Sequence, residues 1–162
     1  MLRKIFLFLL VALVIIQFIH PKRNKTEGLQ PNYIGNTFTV PVDVKTILVK
    51  ACNDCHSNNT KYPWYTYLQP VHWWLNDHIN DGKKELNLDE YTSRSLRYQY
   101  KKMEEVIEQV KEGEMPLNSY TRIHKDAKLT EEEKAKIIGW AESVIDTLKN
   151  HYPIDSLIRK KN

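Results

Sequence analysis

The apolar positions of this chain form one continuous run followed by four periodic stretches. The run comes first, because Ile5 through Ile19 is apolar except for Gln17. Residues 21–40 then lose periodicity and read as a linker punctuated by Gly28, Pro31 and Gly35. From Pro41 onward, Val44, Ile47, Leu48 and Ala51 recur on one helical face and predict a helix that runs into Cys52. Residues 57–70 are polar and aromatic and read as a loop. A second helix is predicted from Val71 to Asp81, stopping near Gly82. A third and longer one covers Asp89 to Glu112, with Leu96, Tyr100, Met103, Ile107 and Val110 as its stripe and Gly113 as its stop. Residues 113–129 form a second loop. Thr130 and Glu133 make a capping box that opens the last helix, which runs to Asn150 and turns Ile137, Ala141, Val144 and Leu148 inward, with Trp140 nearby. Residues 41–150 are thus predicted to be an all-α domain of about four helices with long functional loops, followed by a polar C-terminal tail over 151–162.

The apolar run has the layout of an export signal: Arg3 and Lys4 precede it, and His20, Pro21, Lys22, Arg23, Asn24 and Lys25 follow it. Gln17, Phe18 and Ile19 are all large, so no small-residue cleavage site follows. Residues 1–20 therefore read as an uncleaved signal anchor, a single transmembrane segment with the domain on the periplasmic side; a cleaved signal is the competing reading. Fifteen apolar residues are short for a span of about 20, so Leu2, Arg3 and Lys4 must help at one end.

Charge follows the same division. The chain carries a net charge of +4, but residues 1–26 hold five basic side chains and no acidic one, leaving 19 basic against 20 acidic over residues 27–162. The domain surface is near neutral, which removes the electrostatic support for nucleic-acid binding. Five glycines and seven prolines are too few for a β architecture built on repeated turns.

The candidate chemistry lies in Cys52-Asn53-Asp54-Cys55-His56. Cysteines three apart at the end of a helix project from one face, where both sulfurs reach the two vinyl groups of one haem and His56 is held beneath the ring as an iron ligand. A thioredoxin-like pair would sit after a strand in a βαβ pattern, and no such strand is predicted. A tetrahedral zinc site would need a second ligand pair, and these are the only two cysteines. A lone disulfide would leave His56 and the export signal unexplained.

A second axial ligand has to come from elsewhere. Met115 leads: it lies in a loop after Gly113 and Glu114, with Pro116 fixing the backbone beyond the sulfur, and methionine opposite histidine suits electron transfer. His72, His78 and His124 compete for the role, whereas His20 and His151 lie outside the expected pocket. The dense aromatic set Tyr62, Trp64, Tyr65, Tyr67, Trp73 and Trp74 is expected to wall the broad apolar faces of the haem, with an ordinary aromatic core as the alternative.

Two strings of residues then resemble a known family. One is Cys52-Asn53-Asp54-Cys55-His56-Ser57-Asn58-Asn59-Thr60 with Tyr62-Pro63-Trp64-Tyr65, Gln69-Pro70, Trp73-Trp74-Leu75, His78-Ile79 and Gly82. The other is Gly113-Glu114-Met115-Pro116-Leu117 with Ser119-Tyr120, Ile123-His124, Leu129-Thr130, Glu133-Lys134 and Trp140-Ala141. Together they resemble the bacterial haem-binding domain family, which is similar to monohaem cytochrome c, over about residues 40–148. The resemblance implies a helical cytochrome-like fold, one haem c held covalently by Cys52 and Cys55, proximal His56, and Met115 at the position of the distal methionine.

The expected function is single-electron transfer at the outer face of the cytoplasmic membrane, with a redox protein as partner. A haem sensor or peroxidase-like enzyme with an open or displaceable sixth position is the alternative. A haem-free module, redox-active through Cys52 and Cys55, is the third.

Overall fold

The computed structural model describes residues 1–159. All regular elements among them are helical, and the only β pairing is an isolated bridge between Lys25 and Asn59. Helix α1 (Leu2–Ile16) stands clear of the domain with no buried residue, and successive turns bonding Gln17, Phe18 and Ile19 prolong it. Among the described residues no helix is long and apolar enough to cross a membrane. The segment expected to be an anchor is a 15-residue helix, apolar from Ile5 onward.

Helix α2 (Val42–Ala51) buries Val44, Ile47, Leu48 and Ala51, the face its spacing predicts. It passes through Cys52 into a single turn, α3 (Asn53–His56). Helix α4 (Val71–Glu85) does not stop at Gly82 but runs through it. The glycine serves packing instead: a Cβ there would lie 2.8 Å from the Cys55 carbonyl oxygen, so its absence lets α4 close on α3. The long helix α5 (Leu96–Glu112) begins later than predicted, where the Ser95 hydroxyl accepts from the Tyr98 N–H. Residues Leu88–Ser93 before it form a 3₁₀ segment kinked at Glu90. Gly113, at φ 76°, ends α5 in the left-handed conformation that glycine adopts without steric cost.

A short helix, α6 (Asn118–Ile123), occupies part of the predicted loop 113–129. Helix α7 (Glu131–His151) opens with the Thr130–Glu133 capping box, and α8 (Ile154–Leu157) follows it.

Helices α5 and α7 form the principal pair, and α2 packs against α7. The core between them holds Val44, Leu48, Tyr100, Met103, Trp140, Ala141, Val144 and Leu148. It also draws in Ile34 and Phe38 from the predicted linker and Leu157 from the predicted polar tail, all buried. Side chains of this size contribute about 1.5–3 kcal/mol each when buried, enough to fix both segments to the domain. Residues 160–162 of the predicted tail lie outside the described residues.

Candidate functional site

Where α2 ends, Cys52, Cys55 and His56 open onto a cavity of about 540 Å³. Its far walls come from α5 (Val106, Val110), α7 (Ile137, Trp140) and the Met115–Leu117 loop. The lining is predominantly apolar. The Cys52–His56 turn and Met115, distant in the chain, thus share one cavity.

The two cysteines are free thiols, both half-buried. Burial pushes Cys52 up to about 12, with the neighbouring Cys55 adding to it, and Cys55 up to about 11, with Asp54 adding. Neither is thiolate at neutral pH, so the pair lacks the lowered thiol of a disulfide-exchange centre.

The His56 ring is oriented from behind. Its Nδ1 lies 2.8 Å from the Leu86 carbonyl oxygen. A carbonyl can only accept, so Nδ1 carries the proton and Nε2 keeps its lone pair. Burial lowers the His56 pKa despite the raising effect of that bond, which favours the neutral, ligating ring.

The segment after His56 is a buried polar knot. Asn58 donates from its backbone N–H to Asp89 (2.8 Å) and from its side chain to Gln30 (2.8 Å), and it accepts from Asn87 (2.8 Å). Thr60 donates to the Asp54 carbonyl (2.6 Å) and accepts from Asn24 (2.9 Å). The predicted loop is therefore rigidly tied, because each polar group entering the interior meets a partner.

Asp54, between the cysteines, joins the two halves of the site. One carboxylate oxygen accepts from the Lys61 N–H at 2.9 Å and the other from the Tyr120 hydroxyl at 2.8 Å. The Tyr120 phenol is pushed above its ordinary value by burial and then by Asp54. Tyr120 follows the Met115 loop, so this bond fastens that side of the cavity to the CxxCH turn. The ring of His124 stacks on Tyr120 (4.2 Å, 15°), and its Nε2 lies 2.5 Å from the Tyr65 hydroxyl.

Of the competing histidines, His78 lines the cavity, with Nδ1 2.9 Å from the Trp74 carbonyl oxygen. His124 sits behind the wall, and His72 is buried away from the cavity with neither ring nitrogen bonded. The expected aromatic wall is corrected: none of Tyr62, Trp64, Tyr65, Tyr67, Trp73 and Trp74 lines the cavity, whose aromatic members are Tyr120 and Trp140. Three of them, Tyr62, Tyr67 and Trp73, make their contacts with residues 19–24 where the chain leaves α1, whereas Tyr65 meets His124, Trp64 meets Tyr65 and Trp74 meets His78.

Leu86, Gly82, Asp54 and Lys102 escaped the reading of the sequence. Lys102 lines the cavity beneath Glu85 (2.8 Å) and Glu105 (2.6 Å); burial opposes its charge, but the two carboxylates hold the ammonium above its ordinary value. Only Gly82 left a signal, as a glycine within an otherwise helical stretch.

A family model described as a haem-binding domain matches residues 11–143. Cytochrome c peroxidase Ccp of Escherichia coli (strain K12) is 27% identical to this chain over 122 residues, which cover 74% of this chain and 26% of that protein. The chain thus spans about a quarter of the length of that relative. No solved structure matches.

Proposed function

The chain belongs to the haem-binding domain family, and from that premise we propose that it carries one covalent c-type haem and passes single electrons at the outer face of the cytoplasmic membrane. Haem binding itself goes with the family; attachment, ligation and role are our reading. The observation that carries it is the cavity, which brings two protonated thiols, a histidine with only Nε2 unused, and Met115 to one apolar space.

The residues fit the group. At about 540 Å³ the cavity lies within the range of about 300–1,000 Å³ that ligand pockets take. Cys52 and Cys55 would hold the haem through their sulfurs, and His56 and Met115 would bind its iron. When bound, haem supplies a one-electron ferric–ferrous couple. The protein does the rest: the Leu86 carbonyl fixes the His56 tautomer, the Tyr120–Asp54 bond holds the Met115 side in register, and the apolar walls exclude water. Helix α1, apolar on every face from Ile5 onward and prolonged toward Ile19, would anchor the domain with help from local bilayer thinning. The near-neutral domain, which two haem propionates would shift negative, suits a redox protein partner with a basic docking patch.

The similarity to a protein named cytochrome c peroxidase favours a second reading, a peroxidase-like enzyme or haem sensor in which the Met115 position is displaceable and His78 meets the incoming ligand. Absorption spectra of the oxidised, dithionite-reduced and carbon monoxide-treated protein separate the two. A c-type α-band with a weak near-infrared methionine–iron band and no carbon monoxide response supports the carrier; a prompt shift with carbon monoxide supports the enzyme or sensor. Cys52→Ala with Cys55→Ala is expected to abolish the covalent haem mass, and full retention of that mass would sink the attachment assignment.

A further inference from the structure

Four large apolar side chains are exposed together where α1 meets the domain: Trp64 at 76%, Tyr67 at 56%, Leu68 at 50% and Trp74 at 44%. We propose that this face docks onto the headgroup layer of an anionic lipid bilayer and seats the haem domain on the membrane in one orientation. The inference rests on the reading of α1 as an anchor.

The juxtaposition is built, because the end of α1 is locked to the segment that carries the patch. Gln17 and Gln69 exchange two hydrogen bonds: the Gln69 N–H donates to the Gln17 side chain at 2.9 Å, and the Gln17 amide donates to the Gln69 carbonyl at 3.2 Å. The Gln69 side-chain amide and the Trp73 indole N–H both donate to the Ile19 carbonyl, at 2.9 and 3.0 Å. Gln69 itself is buried, so its half of the lock is shielded from water. With α1 in hydrocarbon, the residues flanking Gln69 lie at the level where the helix leaves it.

The chemistry at that level suits one occupant. Tyrosine and tryptophan concentrate at membrane interfaces, where an apolar ring and a polar edge are both accommodated. Lys22, Arg23 and Lys25 follow α1 with no acid in residues 1–26, which favours anionic headgroups. The Arg23 guanidinium is held over the Tyr67 ring at 4.4 Å and over the Tyr62 ring at 5.1 Å, within the patch itself. The patch also has a limit: beyond Trp74 helix α4 turns polar at Asn76, Asp77 and Asp81, which would remain in water. Docking would place the bilayer beside Trp64, whose neighbour Tyr65 reaches the cavity wall through His124 and Tyr120.

The test uses the full haem-loaded chain with vesicles of phosphatidylcholine and phosphatidylglycerol. Flotation reads the anchor, and quenching of tryptophan emission by lipids brominated near the headgroup reads the docking. In a Trp73→Phe background, which removes the tryptophan bonded to the end of α1, the expected result is co-flotation with quenching, most of which is lost on adding Trp64→Phe with Trp74→Phe. Co-flotation without quenching, the outcome for a face reserved for a protein partner, overturns the docking and leaves the anchor standing. Quenching that survives the double substitution also overturns it. Failure to co-float overturns the anchor reading and the docking with it.

Discussion

Residues 57–60 and residues 62–74 follow one another in the chain and meet opposite fates. The first segment, Ser57-Asn58-Asn59-Thr60, is polar, yet three of its four side chains are buried. The second holds Trp64, Tyr67, Leu68 and Trp74, all exposed. The difference lies in partners. Asn58 and Thr60 enter the interior because Gln30, Asn87, Asp89, Asn24 and the Asp54 carbonyl are waiting for them. The aromatic rings stay outside because the cavity walls are already supplied by α2, α5 and α7. Burial follows the satisfaction of polar groups and the space available, and side-chain hydrophobicity is only one contributor.

Truncating one member of each segment is the strongest way to break this contrast. Asn58→Ala strips the bonds to Gln30 and Asn87 and leaves buried polar groups unpaired, at a cost of about 2–3 kcal/mol. Trp64→Ser removes a far larger side chain, yet is expected to change stability by no more than about 0.5 kcal/mol in detergent. Denaturant titration of both variants in the haem-loaded state checks the pair. Equal destabilisation would mean that the exposed face is held in place by packing and that the contrast is false.

A smaller effect tests the joint between the segments. Tyr120 donates to Asp54 on the polar side and stacks on His124, which reaches Tyr65 on the aromatic side. Tyr120→Phe keeps the stacking and loses the hydroxyl, so it is expected to cost about 1 kcal/mol. If the bond also positions the Met115 loop, the near-infrared methionine–iron band weakens in this variant while the covalent haem mass is unchanged. A stability loss with an unaltered band would reduce Tyr120 to a purely structural member.

The helices and the chemistry were legible in the sequence to different depths. The stripe of α2, the Thr130–Glu133 capping box and the Gly113 stop are local signals, and each stands where its pattern places it. The start of α5 was not legible, because Leu88–Ser93 carries helical composition but a kink at Glu90 breaks it. Gly82 was misread as a helix stop for a related reason: only contact with the Cys55 backbone, which spacing does not reveal, explains a glycine inside α4. The CxxCH residues and Met115 announced themselves by type and setting, and the structure brings them to one cavity. The Leu86 carbonyl and the Asp54–Tyr120 bond were invisible, since a backbone acceptor and a long-range hydroxyl bond leave no pattern. The aromatic run misled because the rings suit a haem wall and a membrane interface equally well.

Three polar residues of the second segment, Thr66, Gln69 and His72, are buried as well, and the first two have hydrogen-bond partners. His72 does not, and it tests the partner rule by the smallest effect. His72 is 2% exposed, yet neither ring nitrogen has a partner. It is packed against Tyr62 and His20, with Arg23 near enough to act on its charge. Burial disfavours the imidazolium, and the positive charges of Arg23 and His20 add to that, so its pKa in the folded chain lies below 6.5. The unfolded chain therefore binds a proton first as pH falls. The stability linked to His72 is complete above pH 6.5 and declines as pH drops below it toward the folded value. His72→Phe keeps a ring of similar size without the titrating nitrogens, so its unfolding temperature should fall less between pH 7.5 and pH 5.5 than that of the unmodified chain, roughly by the contribution of one shifted group. His56 titrates in both proteins, and comparing the two slopes cancels it. Parallel slopes would show that His72 is already satisfied, by water or by movement of the 17–24 segment, and that the second segment obeys the same partner rule as the first.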